Sequence, residues 1–88
     1  MESKKLISHL EEMLDTHMIT CKSSNIVAYC YKPLEKKLFI LFKGNQVYAY
    51  HNITEREFND LNQADSKGKW VNTNLIKTRK EYSKYEAY

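Results

Sequence analysis

The sequence predicts an α+β fold: an N-terminal helix, a three-stranded antiparallel meander, a capped helix and a short C-terminal helix. Three observations carry that prediction. Apolar residues recur at helical spacing near the N-terminus, three β-rich runs follow one another across turn signals, and residues 53–58 hold a full set of helix-start residues. A length of 88 residues allows one domain. With 42% apolar residues, two Gly and one Pro, the composition is that of a folded domain and excludes a collagen-like chain or a disordered tail.

In the first element, Leu6, Ile7, Leu10, Met13, Leu14 and Met18 follow helical spacing, while Lys4, Lys5, Glu11, Glu12 and Asp15 fall elsewhere. The pattern predicts an amphipathic helix from Ser3 to His17 that covers one side of a sheet. Glu11, Glu12 and Asp15 would repel an anionic lipid surface, so no membrane partner is expected.

Asn25 to Tyr31, Lys37 to Phe42 and Gln46 to His51 read as strands, rich in β-branched and aromatic residues. Pro33, which cannot donate to a ladder, marks the first connection, and Gly44-Asn45 marks the second because both residues tolerate positive φ. A two-residue Gly44-Asn45 turn sets Phe42 opposite Val47. Leu38, Ile40, Phe42, Val47 and Ala49 then share one face, and Phe39, Leu41, Tyr48 and Tyr50 the other. A turn one residue different moves Tyr48 and Tyr50 onto the face of Leu38 and Ile40. Both faces are apolar in either register, so each needs a cover, from a helical segment or from a partner.

The second helix is the best marked. Thr54 with Glu57 forms a capping box, Ile53 with Phe58 a hydrophobic staple, and Glu55 and Glu57 suit the positive end of the helix dipole. Phe58, Leu61 and Ala64 mark its buried stripe, and Gly68 is the expected stop. Trp70, Val71, Leu75 and Ile76 then predict a short packed segment, helical from about Asn72 or Thr73. Tyr82, Tyr85 and Tyr88 recur every third residue among Lys77, Arg79, Lys80 and Lys84, as a fraying helix or a tail disordered until bound. The organisation is therefore a helix over 1–20, a domain over 21–78 and a basic tail over 79–88.

The formal charge of +3 is mild, but it is unevenly spread. Residues 1–20 carry Lys4 and Lys5 against Glu2, Glu11, Glu12 and Asp15, a net of −2. Residues 66–88 carry Lys67, Lys69, Lys77, Arg79, Lys80 and Lys84 against Glu81 and Glu86, a net of +4. A basic C-terminal quarter fits phosphates or an acidic protein surface, and equally an ordinary solvated face. No apolar h-region follows the N-terminus, so a reducing cytoplasm with both thiols free is expected.

Few residues carry chemistry of their own. Cys21 and Cys30 lie too far apart for a zinc-type pair, and His9, His17 and His51 are scattered, so no metal is expected. There is no phosphate-binding glycine loop, nucleophile elbow or HExxH, and nothing places a cysteine beside a histidine as nucleophile and base. The expectation is a non-enzymatic protein with no cofactor.

One ordered series of residues is recognisable. Ser23-Ser24-Asn25-Ile26, Leu38-x-Ile40-x-Phe42, Gly44 and Tyr48-x-Tyr50 lead to Phe58 and Leu61. Ala64-x-Ser66-Lys67-Gly68, Trp70-Val71-Asn72 and Ile76 complete it. The series resembles the KTSC family over Lys22 to Ile76, except that Thr54 stands near the family's usual proline after the third strand. The N-terminal helix is an addition to that pattern. The resemblance implies a small domain found at the C-terminus of some lysyl-tRNA synthetases and alone in bacteria and bacteriophages. It implies an accessory role, with no established chemistry to transfer.

Binding is the better-supported role. Tyr29, Tyr31, Tyr48 and Tyr50 alternate along neighbouring strands and either present rings for base stacking or fill the core. Ser66-Lys67-Gly68-Lys69 offers donors and two ammonium groups for a phosphate, or is simply a turn. Trp70 beside it either stacks on a base or anchors the loop. The candidate ligand-binding residues are Tyr48, Tyr50, Ser66, Lys67, Gly68, Lys69, Trp70 and Asn72. The expected ligand bears a phosphate: nucleic acid or a free nucleotide, sequestered in the latter case. The alternative is a phage-type inhibitor that occupies a host protein, and a homo-oligomer is compatible with either.

Overall fold

A computed structural model describes residues 3–86. Tyr88, the last of the tail tyrosines, and the Met1-Glu2 start lie outside the described residues. The chain forms α1 (Ser3–Leu14), β1 (Ile19–Thr20), β2 (Ile26–Lys32), β3 (Lys37–Phe42), β4 (Gln46–Tyr50), α2 (Glu55–Gln63), α3 (Lys67–Val71) and β5 (Tyr82–Lys84). A π-helical turn, Asn72–Ile76, continues α3. The α+β class stands, but the meander has five strands, antiparallel throughout and in sequence order.

Helix α1 buries Leu6, Leu10 and Leu14, and Met18 packs beside them from beyond its end. It stops at Leu14, short of the expected His17. Asp15 takes a left-handed conformation (φ 53°) and the Thr16 amide donates back to the Glu11 carbonyl at 3.2 Å. This is a Schellman-type ending built without glycine, which is why the spacing alone did not mark it. Met13 is 49% exposed and lies outside the buried stripe.

The β3–β4 register is the one that the two-residue turn does not produce. Phe42 pairs with Gln46, Leu41 with Val47 and Ile40 with Tyr48. Lys43 joins Gly44 (φ 90°) and Asn45 (φ 63°) in a three-residue loop. One added loop residue exchanges the faces of the whole strand, so Tyr48 and Tyr50 stand with Leu38, Ile40 and Phe42. A bulge in β2 acts similarly: Ile26 opposes Phe42 and Ala28 opposes Leu41, leaving Val27 extra.

The two faces have separate covers. On one, Ala28, Cys30, Phe39, Leu41, Val47 and Ala49 meet α1. On the other, Ile26, Tyr29, Leu38, Ile40 and Tyr50 meet Ile53, just before α2, and Leu61, Val71 and Leu75 from α2, α3 and the π turn. Of the two covers open to the sequence, a helical segment or a partner, the fold uses helical segments on both faces.

The capping box at Thr54 and Glu57 is formed in full, and staple residues Ile53 and Phe58 join the same core. Gly68 does not end α2. That helix closes at Ala64, and Gly68 sits inside α3, where a Cβ would come within 2.5 Å of the Asn25 Oδ1. The tail is neither helix nor disordered over Tyr82–Lys84. It pairs with β4 through Tyr48↔Lys84, Ala49↔Ser83 and Tyr50↔Tyr82. Its three-residue tyrosine spacing resembles a helix but serves an extended segment: Tyr82 of β5 meets Tyr48 and Tyr50, and Tyr85, just past β5, packs on Phe39 beneath α1 (5.3 Å, 79°). No helix among the described residues is long and apolar enough to cross a membrane.

Candidate functional site

The β3–β4 register places Phe42, Tyr48 and Tyr50 on one face, and β5 sets Tyr82 beside them. The rings interlock: Phe42 meets Tyr48 at 5.7 Å and 68°, Tyr48 meets Tyr82 at 5.4 Å and 83°, and Tyr50 meets Tyr82 at 5.6 Å and 39°. Opposite them stand Leu75 and Ile76 of the π turn, followed by Arg79 and Lys80. Together with Asn25 these residues enclose a groove of about 550 Å³, within the size range of small-molecule sites.

The π turn positions the far wall. The Lys77 amide donates to the Asn72 carbonyl and the Lys80 amide to that of Leu75, each at 2.9 Å and spanning five residues. Arg79 is left-handed (φ 56°), which reverses the chain into β5. Lys80 Nζ lies 3.7 Å from Glu57 Oε2, so one of the groove's two cations already faces a carboxylate. Burial, and next the neighbouring Tyr82 and Tyr48, push the Tyr50 hydroxyl above its ordinary pKa, so Tyr50 is a neutral donor at physiological pH.

A second, polar cleft of about 620 Å³ adjoins the groove and shares Asn25 with it. Lys22, Ser23 and Ser24 line one side, and Asp65, Ser66, Gly68, Lys69 and Asn72 the other. Ser66 Oγ accepts from the Lys69 amide and so caps α3, while the Lys69 side chain is exposed. Asn25 Oδ1 accepts from Ser23 Oγ at 3.0 Å and fills the space over Gly68. Gly68 is thus accounted for by close packing, without any need for a ligand.

The sequence-predicted residues divide accordingly. Tyr48 and Tyr50 belong to the groove; Ser66, Gly68, Lys69 and Asn72 belong to the cleft. Lys67 and Trp70 line neither. The Lys67 ammonium donates to the Asn62 carbonyl at 2.8 Å and the Ala64 carbonyl at 2.6 Å, so the basic turn does not present it to a phosphate. Trp70 packs on the sheet, and its carbonyl accepts from the Asn74 side chain. Tyr29 and Tyr31 are structural: their hydroxyls donate to Asn62 Oδ1 and the Ile53 carbonyl, both at 2.6 Å, and Tyr31 stacks on Phe58 at 4.8 Å.

Sequence reasoning missed Asn25, Phe42, Leu75, Ile76, Arg79, Lys80 and Tyr82 as a group. Arg79 and Lys80 were visible as charge and Tyr82 as a repeat, but only the β4–β5 pairing brings them to Tyr48. Among the described residues no group of three His, Cys, Asp or Glu is placed to hold a metal. Cys21 and Cys30 are free thiols, and burial raises the pKa of both.

Residues 22–79 match the KTSC domain family. A protein of Tsukamurella paurometabola is 38% identical over 58 residues, which span 66% of this chain and 85% of that protein. The crystal structure of a KTSC domain protein from Yersinia pestis aligns with a TM-score of 0.71 and 27% identity, covering 80% of this chain and 97% of that one. The family match takes in β2 through Arg79 and leaves α1, β1 and β5 outside it. On the ordered series of residues, the match over most of its length and the shared fold, this chain belongs to the KTSC domain family.

Proposed function

We propose that this protein is a small non-enzymatic binding module for a phosphate-bearing ligand, nucleic acid or nucleotide. The reading rests on one observation: an aromatic groove of Phe42, Tyr48, Tyr50 and Tyr82 carries Arg79 and Lys80 on its rim and opens beside a polar cleft. Rings offer stacking surface and cations offer charge for a phosphate, a pairing of chemistries that aromatic anionic ligands use. A cytoplasmic setting, in which both thiols stay reduced, goes with this reading.

A thermal-shift screen of the pure protein against oligonucleotides, cyclic nucleotides and NAD-derived nucleotides tests it. A ligand at 100-fold its Kd adds roughly 2.7 kcal/mol, and each kcal/mol moves the midpoint of a domain this size by about 4–8 °C. A shift of that size with one class supports the reading. A flat screen sinks it and turns attention to the alternative, a module that blocks a host protein through the open edges at β1 and β5.

A further inference from the structure

The groove differs from a platform on which a nucleic acid strand lies. Such platforms present successive open rings along a positively charged track. Here Tyr50 is 4% exposed, Phe42 and Tyr48 are half-buried, and each ring is turned toward a neighbour. Tyr82, at 58% exposure, is the most exposed of the four rings. The groove beside it is also lined by Leu75, which is buried, and Ile76, which is 49% exposed.

The charge at the rim suits a small ligand. Lys80 faces Glu57, whereas no ion pair to Arg79 is seen among the described residues. Within the groove Arg79 is therefore the cation left without a carboxylate, one charge for one phosphate, while Lys22 and Lys69 lie in the adjoining cleft. Tyr82 also lies outside residues 22–79, so the most exposed ring is supplied by a segment beyond the family match.

Resting on the reading of a phosphate-bearing ligand, we infer that the groove takes a single free nucleotide. Its planar ring lies against Tyr82 and its phosphate beside Arg79. Tyr82 is the residue that determines this specificity.

The test is an equilibrium titration of the full chain with the four nucleoside monophosphates, their 3′,5′-cyclic forms, the parent nucleosides, dTMP and a twelve-residue oligothymidylate. At least one mononucleotide binds with one equivalent per protein, and the oligomer binds no more tightly than dTMP. Tyr82→Ala weakens the mononucleotide by roughly five-fold to a hundred-fold, whereas Tyr82→Trp, which keeps a ring on β5, preserves binding. Arg79→Asn, a residue at ease in the left-handed conformation, reduces the nucleotide to the affinity of its nucleoside. Circular dichroism confirms that each variant is folded, and Tyr82→Thr, a strand-forming residue without a ring, replaces Tyr82→Ala with the same expected loss if the latter unfolds.

The outcomes separate the two claims. Oligomer binding ten-fold or more tighter than dTMP, with a steep salt dependence, overturns the single-nucleotide inference while sustaining the wider reading. Unchanged affinity in folded Tyr82→Ala overturns the role of Tyr82. If neither mononucleotides nor the oligomer bind, the wider reading falls with it.

Discussion

The Lys67 ammonium closes the C-terminal end of α2 by donating to two carbonyls, at 2.8 and 2.6 Å, where the helix dipole favours a cation. Lys32 does the same for α1, donating to the Leu14 carbonyl at 2.6 Å. Lys67→Met keeps the aliphatic stem and removes the donors. We expect it to lower unfolding stability by about 1 kcal/mol, measured by urea denaturation, and to leave nucleotide affinity unchanged. The opposite pattern, intact stability with lost affinity, would return Lys67 to the ligand-binding role that the Ser66–Lys69 turn predicts for it. The lysine's role was unreadable from sequence because Asn62 and Ala64 come within its reach only through the particular path of the chain between α2 and α3.

At the scale of elements, α2 and β5 make opposite cases. Thr54→Ala breaks the capping box, in which the Glu57 amide donates to Thr54 Oγ1 at 3.1 Å and the Thr54 amide to Glu57 Oε1 at 2.9 Å. The expected cost is about 1 kcal/mol, seen as a lower thermal midpoint with the secondary structure retained. These signals are local, with Thr54 and Glu57 three positions apart and Ile53 and Phe58 five, so α2 is legible in the sequence. Strand β5 is not, because its partner lies some thirty residues earlier and its own tyrosines repeat at helical spacing. It is held by the Tyr85 amide donating to the Val47 carbonyl, the His51 amide donating to the Glu81 carbonyl, and the Tyr85 ring against Phe39. Tyr85→Ala should cost about 1–3 kcal/mol and speed hydrogen exchange at the His51 amide. An unchanged midpoint and unchanged exchange would show that β5 is not docked in solution.

For the molecule as a whole, burying both faces of the sheet places titratable groups in the core. Burial pushes the Cys30 thiol up to about 11, with Lys32 opposing and Glu11 reinforcing the effect. Burial likewise raises the Tyr29 and Tyr50 hydroxyls. Each of these groups holds its proton more tightly when folded than when unfolded. The Cys30 contribution is therefore complete below the ordinary thiol pKa of 9.0 and is lost as pH rises toward about 11, while that of the two tyrosines is complete below their ordinary 10.0 and is lost above it. For Cys30 alone the loss is on the order of 2–3 kcal/mol. Urea midpoints at pH 8 and 10.5 should show the fall, and Cys30→Val should reduce it. Equal midpoints at the two pH values would contradict the burial of these groups.

What the sequence determined by itself was the local chemistry: α1 from its leucine spacing, α2 from Ile53, Thr54, Glu57 and Phe58, three central strands from their β-rich runs, and the family from an ordered series of residues. The helices and strands depend on neighbours a few positions apart, and the family on the order of short motifs along residues 22–79. Tertiary structure alone decided which residues meet. The three-residue loop at Lys43, Gly44 and Asn45 chose the face of Tyr48 and Tyr50, and the β4–β5 pairing brought Tyr82 to them. The π turn and the reversal at Arg79 supplied the opposite wall. A strand's side chains alternate with a period of two, so a single loop residue reassigns a whole face. A groove built between strands and a terminal segment therefore has no signature in any short stretch of chain.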